Sequence, residues 1–78
     1  MPHVIVKMYA GRSEEQKKQL AEAVTEAVTS TLNYRDESVS VAIEDVAPER
    51  WADDVYKPDI LENSDRIYKK PGYNPFGP

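Results

Sequence analysis

Residues 13–32, SEEQKKQLAEAVTEAVTSTL, decide the fold because they carry the signals of one long amphipathic helix. Ser13 and Gln16 match a capping box, in which each side chain bonds to the backbone N–H of the other residue. Side chains that suit burial then recur at intervals of three and four residues, which places them in one stripe. The stripe consists of Leu20, Val24, Ala27, Val28, Thr31 and Leu32. We therefore predict a helix over residues 14–32.

Strand patterns flank this helix on both sides. Residues 3–9, HVIVKMY, alternate between two faces, and residues 38–46, SVSVAIEDV, place Val39, Val41 and Ile43 on one face. A strand, a helix and a strand in this order form a right-handed βαβ unit with parallel strands. The predicted fold class is α/β (α+β), with a parallel two-stranded unit and one long helix.

The last third of the chain predicts shorter and less regular elements. A helical stretch is expected from Pro48 to about Tyr56, and Pro58 should separate it from the next element. A further short helix is expected over residues 59–68. The tail, residues 69–78, is rich in Pro and Gly and should hold no regular structure.

Length and composition exclude several classes of protein. The 78 residues suffice for a single domain, residues 1–78, and the chain has no cysteine for a disulfide or a thiolate–metal site. A net charge of −4 argues against nucleic-acid binding. No apolar stretch is long enough to span a membrane, and the N-terminus lacks the features of a secretory signal, so a cytoplasmic location is expected.

Two strands do not make a stable sheet on their own. The apolar strand faces also outnumber the one helix that could cover them. Pairing of two chains would give a four-stranded sheet with helices on one face. We therefore expect a homodimer, or a larger assembly of dimers.

Pro2 is the leading candidate for a catalytic group. Removal of the initiator methionine would leave a free secondary amine, and a free α-amine titrates at a pH of about 8. An apolar pocket, or a nearby cation such as Arg12, would lower that pKa towards neutral pH, where a general base works best. Most prolines at this position have no such role, so the residue type alone does not assign one.

Arg12 and Trp51 are candidates for substrate binding. Arg12 precedes a predicted helix N-terminus, where a guanidinium and the free backbone amides could clamp a carboxylate; the alternative is a solvated surface side chain. Trp51, the only tryptophan, could wall an apolar pocket or anchor a core. His3 is interpreted as structural. The sequence has no Gly-rich phosphate loop and no set of residues with the spacing of metal ligands.

Three segments resemble the 4-oxalocrotonate tautomerase family. They are MPHVIVK at residues 1–7, GRSEEQK at residues 11–17 and SVSVAIE at residues 38–44. Two later segments, PERW at residues 48–51 and KKPGY at residues 69–73, resemble a branch of that family, the dimeric bacterial tautomerases of the PptA type. The resemblance implies the β-α-β tautomerase fold, with extra short C-terminal helices and a four-stranded sheet on dimerisation.

The resemblance also implies a cofactor-independent keto–enol tautomerase, which is an isomerase. It places the family's catalytic proline at Pro2, its carboxylate-binding arginine at Arg12 and its aromatic pocket residue near Trp51. The Pro2 amine would move a proton between oxygen and carbon of an enol acid, such as phenylenolpyruvate or a 2-hydroxydienoate. The family's second arginine falls on Ser40, which can donate a hydrogen bond but carries no charge.

The serine at position 40 keeps alternatives open. Arg35 or Arg50 could supply the missing charge, and a smaller or aryl enolpyruvate suits the site better than a hydroxymuconate. A hydratase or dehalogenase on the same scaffold, with protonated Pro2 as the acid, is the second hypothesis. A non-catalytic small homodimer is the third. The expected partners are a small 2-oxo or enol carboxylate and a second copy of the chain, with a hexamer as the alternative assembly and no metal or cofactor.

Overall fold

The structure, a computed structural model, describes residues 1–77. These residues form two compact units, of which the first is Met1–Asp45 and the second begins at Val46. The single domain expected across the whole chain stays a prediction. Pro78, the last residue of the predicted tail, lies outside the described residues.

The βαβ motif is confirmed. Strand β1 spans His3–Tyr9, helix α1 spans Glu14–Leu32 and strand β2 spans Ser40–Val46. The two strands are parallel, hydrogen-bonded neighbours in a two-stranded sheet. β1 and α1 have the predicted bounds, but β2 begins later than predicted because Asp36–Ser38 forms a 3-10 turn.

Local signals fix both ends of α1. The Ser13 Oγ accepts a hydrogen bond from the backbone N–H of Gln16 at 3.1 Å, and the Gln16 side chain accepts one from the Ser13 N–H at 3.2 Å. This is the predicted capping box. The helix ends at Asn33, whose φ of 59° lies in the left-handed region that asparagine adopts more readily than most residues.

The half-buried face of α1 differs in part from the predicted stripe. Leu20, Val24 and Val28 are half-buried as expected. Ala27, Thr31 and Leu32 are exposed instead, and their places are taken by Lys17, Ala21, Thr25 and Thr29. Leu32 has 58% of its surface exposed, so the last turn of α1 leaves apolar surface uncovered in one copy of the chain.

The second unit consists of short helical segments. Pro48–Arg50 and Leu61–Arg66 are 3-10 turns, and Ala52–Ile60 is π-helical. The expected break at Pro58 is wrong, because this proline lies inside the π-helical segment. A proline removes one backbone donor and its ring collides with the preceding turn, so the coil departs from α geometry here without ending. The single helix expected over 59–68 is wrong for the same reason, since its first residues belong to the π-helical segment.

Aromatic contacts hold the tail within the second unit. Tyr56 is buried, with 8% of its surface exposed. Its ring centroid lies 5.6 Å from that of Tyr73 and 5.8 Å from that of Phe76. Residues 69–77 form no helix or strand, as predicted, and these ring contacts supply the fixation that backbone pairing does not.

Candidate functional site

The sheet holds Pro2 in place. Pro2 lies directly before β1, and its carbonyl oxygen accepts a hydrogen bond from the backbone N–H of Ser40 at 3.2 Å. Pro2 is half-buried, whereas 93% of the surface of Met1 is exposed. The backbone at Pro2 is therefore fixed, and the residue before it is accessible to an aminopeptidase.

Ser40 also contacts a residue that sequence reasoning did not place in the site. The Nδ1 atom of His3 lies 2.6 Å from the Oγ atom of Ser40, a short hydrogen-bond distance. His3 and Ser40 are the first residues of β1 and β2, so parallel pairing puts their side chains side by side. The signal in the sequence was this shared position at the two strand starts, next to Pro2.

Arg12 lies at the opposite end of β1, in the loop that leads into α1, and is exposed. Gly11 before it has a φ of +121°, which side-chain-bearing residues rarely adopt, so the chain turns there on a glycine. β1 contains seven residues, and six steps of about 3.3 Å place its two ends about 20 Å apart. Within one copy, Arg12 is therefore too far from Pro2 to be the nearby cation that was considered as an alternative to an apolar pocket.

An ion pair accompanies Arg12 at this end. The Lys17 Nζ lies 2.6 Å from Asp45 Oδ2 and 3.4 Å from Glu14 Oε1, and 17% of the Lys17 side chain is exposed. The hydrogen bond with Asp45 raises the pKa of Lys17 above its ordinary value. The pair joins the start of α1 to the end of β2. It thereby stabilises the helical end of the loop that carries Arg12.

The two arginines that were candidates to replace the missing charge have carboxylates close to them in sequence. Arg50 makes a two-point contact with Asp54, at 2.7 Å from Nη2 and 3.2 Å from Nε, and this hydrogen bonding raises the pKa of Arg50. Arg35 Nη1 lies 4.0 Å from Glu37 Oε1, with 87% of the Arg35 side chain exposed. Arg50 is therefore engaged within its own segment, while Arg35 is largely in solvent.

Trp51 belongs to the second unit, whereas Pro2, Arg12 and Ser40 belong to the first. The indole Nε1–H of Trp51 donates a hydrogen bond to the Tyr73 hydroxyl at 2.9 Å, which fixes the plane of the half-buried ring. Its expected role as an apolar wall for the substrate stays a prediction.

Two searches of residues 1–77 gave negative results. No three His, Cys, Asp or Glu side chains are grouped as metal ligands. None of the helices in this range has the length and apolar character needed to cross a membrane.

Known proteins share both the sequence and the fold. Residues 2–56 match the family model described as Tautomerase enzyme. A probable tautomerase of Xylella fastidiosa (strain 9a5c) is 42% identical over 73 residues, which cover 94% of this chain and 89% of that one. The tautomerase PptA of Pectobacterium carotovorum subsp. carotovorum (strain PC1) is 41% identical over 75 residues, which cover 95% and 99% of the two chains.

Solved structures agree with this assignment. TomN, a 4-oxalocrotonate tautomerase homologue of the tomaymycin biosynthetic pathway, superposes with a TM-score of 0.63 at 40% identity. The superposition covers 64% of this chain and 77% of that one. Family model, relatives and fold therefore point the same way, and the chain belongs to the 4-oxalocrotonate tautomerase family as an isomerase that interconverts keto and enol groups.

Proposed function

We propose that this protein is a cofactor-independent tautomerase of small 2-oxo acids, with the Pro2 amine as its catalytic base after removal of Met1. The observation that carries the proposal is the placement of Pro2. Its carbonyl is bonded to the Ser40 N–H at 3.2 Å, it is half-buried, and the Met1 before it is 93% exposed. The family match also begins at residue 2. An amine held by a sheet is an oriented base, and orientation is what a positioned proton transfer needs.

The reaction requires one group that moves a proton from oxygen to carbon. The neutral Pro2 amine takes the proton of the enol hydroxyl and becomes an ammonium. As the C=O bond forms, the electrons of the C=C bond take the same proton back from the ammonium and form a C–H bond. The product is the 2-oxo acid, and the amine returns to its neutral form with nothing consumed.

A second copy of the chain supplies the group that binds the substrate's carboxylate. The guanidinium of Arg12 suits a two-point contact with a carboxylate, but in one copy it stands at the other end of β1 from Pro2. The first unit also has exposed apolar side chains: Ile5, Tyr9 and Leu32 are 50%, 52% and 58% exposed. A homodimer that covers this surface and brings Arg12 of one copy to Pro2 of the other satisfies both requirements.

The preferred substrates are aryl or other small enolpyruvates such as phenylenolpyruvate. Ser40, beside Pro2, offers a neutral hydroxyl where a second cation would suit a substrate with a second carboxylate. A substrate with a single carboxylate needs only the one arginine. Enol acids with a second carboxylate should therefore react more slowly than phenylenolpyruvate.

The first experiment compares wild type with Pro2→Ala in the ketonisation of phenylenolpyruvate, after an intact mass spectrum has shown that Met1 is gone. Loss of the secondary amine should lower kcat/KM by about 100-fold or more, in line with the contribution of a general base. Pro48→Ala, a proline substitution in the second unit, is the matched control and should keep the wild-type rate. Absence of any wild-type rate above buffer for a panel of enol acids, or equal rates for wild type and Pro2→Ala, would contradict the proposal.

Covalent labelling tests the reactive amine separately. 3-Bromopyruvate resembles the substrate acid and alkylates free amines, so peptide mapping should find the label on Pro2 first. Labelling of the lysines to the same extent as Pro2 would mean that the Pro2 amine has no special reactivity. A pH–rate profile then separates the base from the acid role: activity that rises as the amine loses its proton supports the tautomerase, whereas activity that requires the charged amine supports a hydratase or dehalogenase.

A further inference from the structure

A pair of polar side chains at the start of the sheet carries an inference beyond Pro2 itself. His3 follows Pro2 directly, and its Nδ1 atom lies 2.6 Å from the Ser40 Oγ. The backbone N–H of the same Ser40 donates to the Pro2 carbonyl oxygen at 3.2 Å. Ser40 is thus bonded to Pro2 through its backbone and to His3 through its side chain, and both His3 and Ser40 are exposed to a small ligand.

The direction of the His3–Ser40 hydrogen bond decides what Ser40 can do. A serine hydroxyl has one proton to donate and two lone pairs to accept with. If the hydroxyl donates to an unprotonated Nδ1, its only proton is occupied. If instead the His3 Nδ1–H donates to Oγ, the hydroxyl proton remains available for a third group, and the donated bond makes the hydroxyl a stronger donor.

We propose that His3 is a positioning residue: its Nδ1–H donates to Ser40 Oγ and turns the Ser40 hydroxyl proton towards the C-2 oxygen of the substrate. This inference rests on the proposed function, because the C-2 oxygen gains negative charge only when an enol acid loses its proton to a base beside Ser40. A donor placed at that oxygen stabilises the charge as it develops, and this lowers the barrier without tightening ground-state binding. His3 and Ser40 together then supply a hydrogen-bond donor at the oxygen where a cationic side chain would supply charge.

Four variants test the pair in phenylenolpyruvate ketonisation. Ser40→Ala removes the donor and should lower kcat at least about tenfold while KM changes less than about twofold. His3→Gln moves the side-chain N–H away from the Nδ1 position and should lower kcat similarly. His3→Asn keeps an N–H donor at the Nδ1 position and should be at least about tenfold faster than His3→Gln. The double variant His3→Gln/Ser40→Ala should be no slower than Ser40→Ala alone, because the two residues act as one unit.

A purely structural role for His3 gives a different pattern. It predicts that Asn and Gln at position 3 behave alike, or that KM moves with kcat, and either result would overturn the inference. If Ser40→Ala and His3→Gln keep the wild-type rate while Pro2→Ala loses it, the pair has no role and the proposed function stands. If Pro2→Ala keeps the wild-type rate, the proposed function fails and this inference fails with it.

A spectroscopic measurement keeps the inference testable even where a variant does not fold. His3 is the only histidine of the chain, so its ring nitrogens can be assigned in a nitrogen-15 NMR spectrum of the wild-type protein without mutagenesis. We expect a protonated Nδ1 with a slowly exchanging proton. An unprotonated Nδ1 would mean that Ser40 donates to the imidazole, and the proposed role of Ser40 would be excluded.

Discussion

The two ends of β1 carry different chemistry. At its first end, Pro2, His3 and Ser40 are joined by hydrogen bonds of 3.2 and 2.6 Å, and none of the three carries a fixed charge on its side chain. At its other end, Arg12 stands before the N-terminus of α1, with the Lys17–Asp45 ion pair of 2.6 Å close along the chain. One end suits the transfer of a proton, and the other suits the binding of an anion.

Under the proposed function, this difference explains why we expect a single copy to be insufficient. An enol acid needs a base and an anion-binding group within the few ångströms that separate its enol oxygen from its carboxylate, yet β1 holds its two ends about 20 Å apart. In the proposed homodimer, a two-fold axis would pair the first end of each copy with the other end of its partner and so create two identical sites. The uncovered Ile5, Tyr9 and Leu32 side chains give the apolar surface that such an association buries.

The strictest test of whether the two ends of β1 meet between copies is to mix two variants, each of which lacks the key residue of one end. Pro2→Ala and Arg12→Ala should regain activity when they are unfolded together and refolded at equal amounts. The assay uses a substrate concentration below the wild-type KM, where each variant alone keeps only a small part of the wild-type rate. Random pairing makes half of the dimers mixed, and in each mixed dimer one site has both wild-type groups, so the rate should reach about a quarter of the wild-type rate. The measurement is phenylenolpyruvate ketonisation by the refolded mixture.

The matched control for this mixture pairs two variants of the same end. Pro2→Ala and Ser40→Ala should not complement, because both residues serve a site from the same copy and every mixed site lacks one of them. The mixture should therefore not exceed the rate of the Ser40→Ala protein that it contains. No recovery with Arg12→Ala would show that the two ends do not meet between copies. Recovery in the control would show that Pro2 and Ser40 do not serve a site from the same copy.

The sequence predicted the first unit well because its signals are local. The capping box at Ser13 and Gln16 and the repeat of apolar residues set the bounds of α1, and the loop residues 10–12 set the end of β1. The start of β2 was predicted too early because the residues of the 3-10 turn Asp36–Ser38 have no sequence pattern that distinguishes them from the start of a strand. The break at Pro58 was predicted wrongly for a related reason. A proline indicates that α-helical geometry is lost, but not whether the helix ends or widens into a π-helix.

The candidate site was harder to predict for two reasons. Some of its residues are far apart in the sequence, and others are far apart in the structure of one copy. Pro2 and Arg12 were identified by residue type and family resemblance, and no pattern in the sequence measures the length of strand that separates them. His3 was interpreted as structural from its place on the strand. Its contact with Ser40 was not predicted, because Ser40 is 37 positions away and only strand pairing makes them neighbours. Position along a strand is readable from sequence, whereas the register between strands is not.

Substitution of Arg12 tests whether its end of β1 binds the carboxylate of the substrate. Arg12→Ala should lower kcat/KM by about 10- to 100-fold, mainly through KM, because it removes a two-point contact with the carboxylate. Arg12→Lys restores the charge but not the planar fork, so it should recover only part of the loss. Arg66→Ala, an exposed arginine of the second unit, is the matched control and should behave as wild type. A fall in kcat with an unchanged KM would place Arg12 at the reacting oxygen and contradict a carboxylate clamp.

The smallest expected effect concerns the ion pair that anchors the Arg12 end. Lys17→Met removes the partner of Asp45 and should lower the Tm by a few degrees at neutral pH, since the Asp45 side chain is 41% exposed and ion pairs that water reaches contribute little. The pKa of Lys17 is raised in the fold, so its contribution is fully present below the ordinary value of 10.5 and is lost as the pH rises through the higher folded value. The difference in Tm between wild type and Lys17→Met should therefore stay constant from neutral pH to about pH 9 and shrink as the pH rises through the raised pKa of Lys17. A difference that persisted undiminished in strongly alkaline buffer would show that the aliphatic part of Lys17, and not its charge, holds the start of α1 against the end of β2.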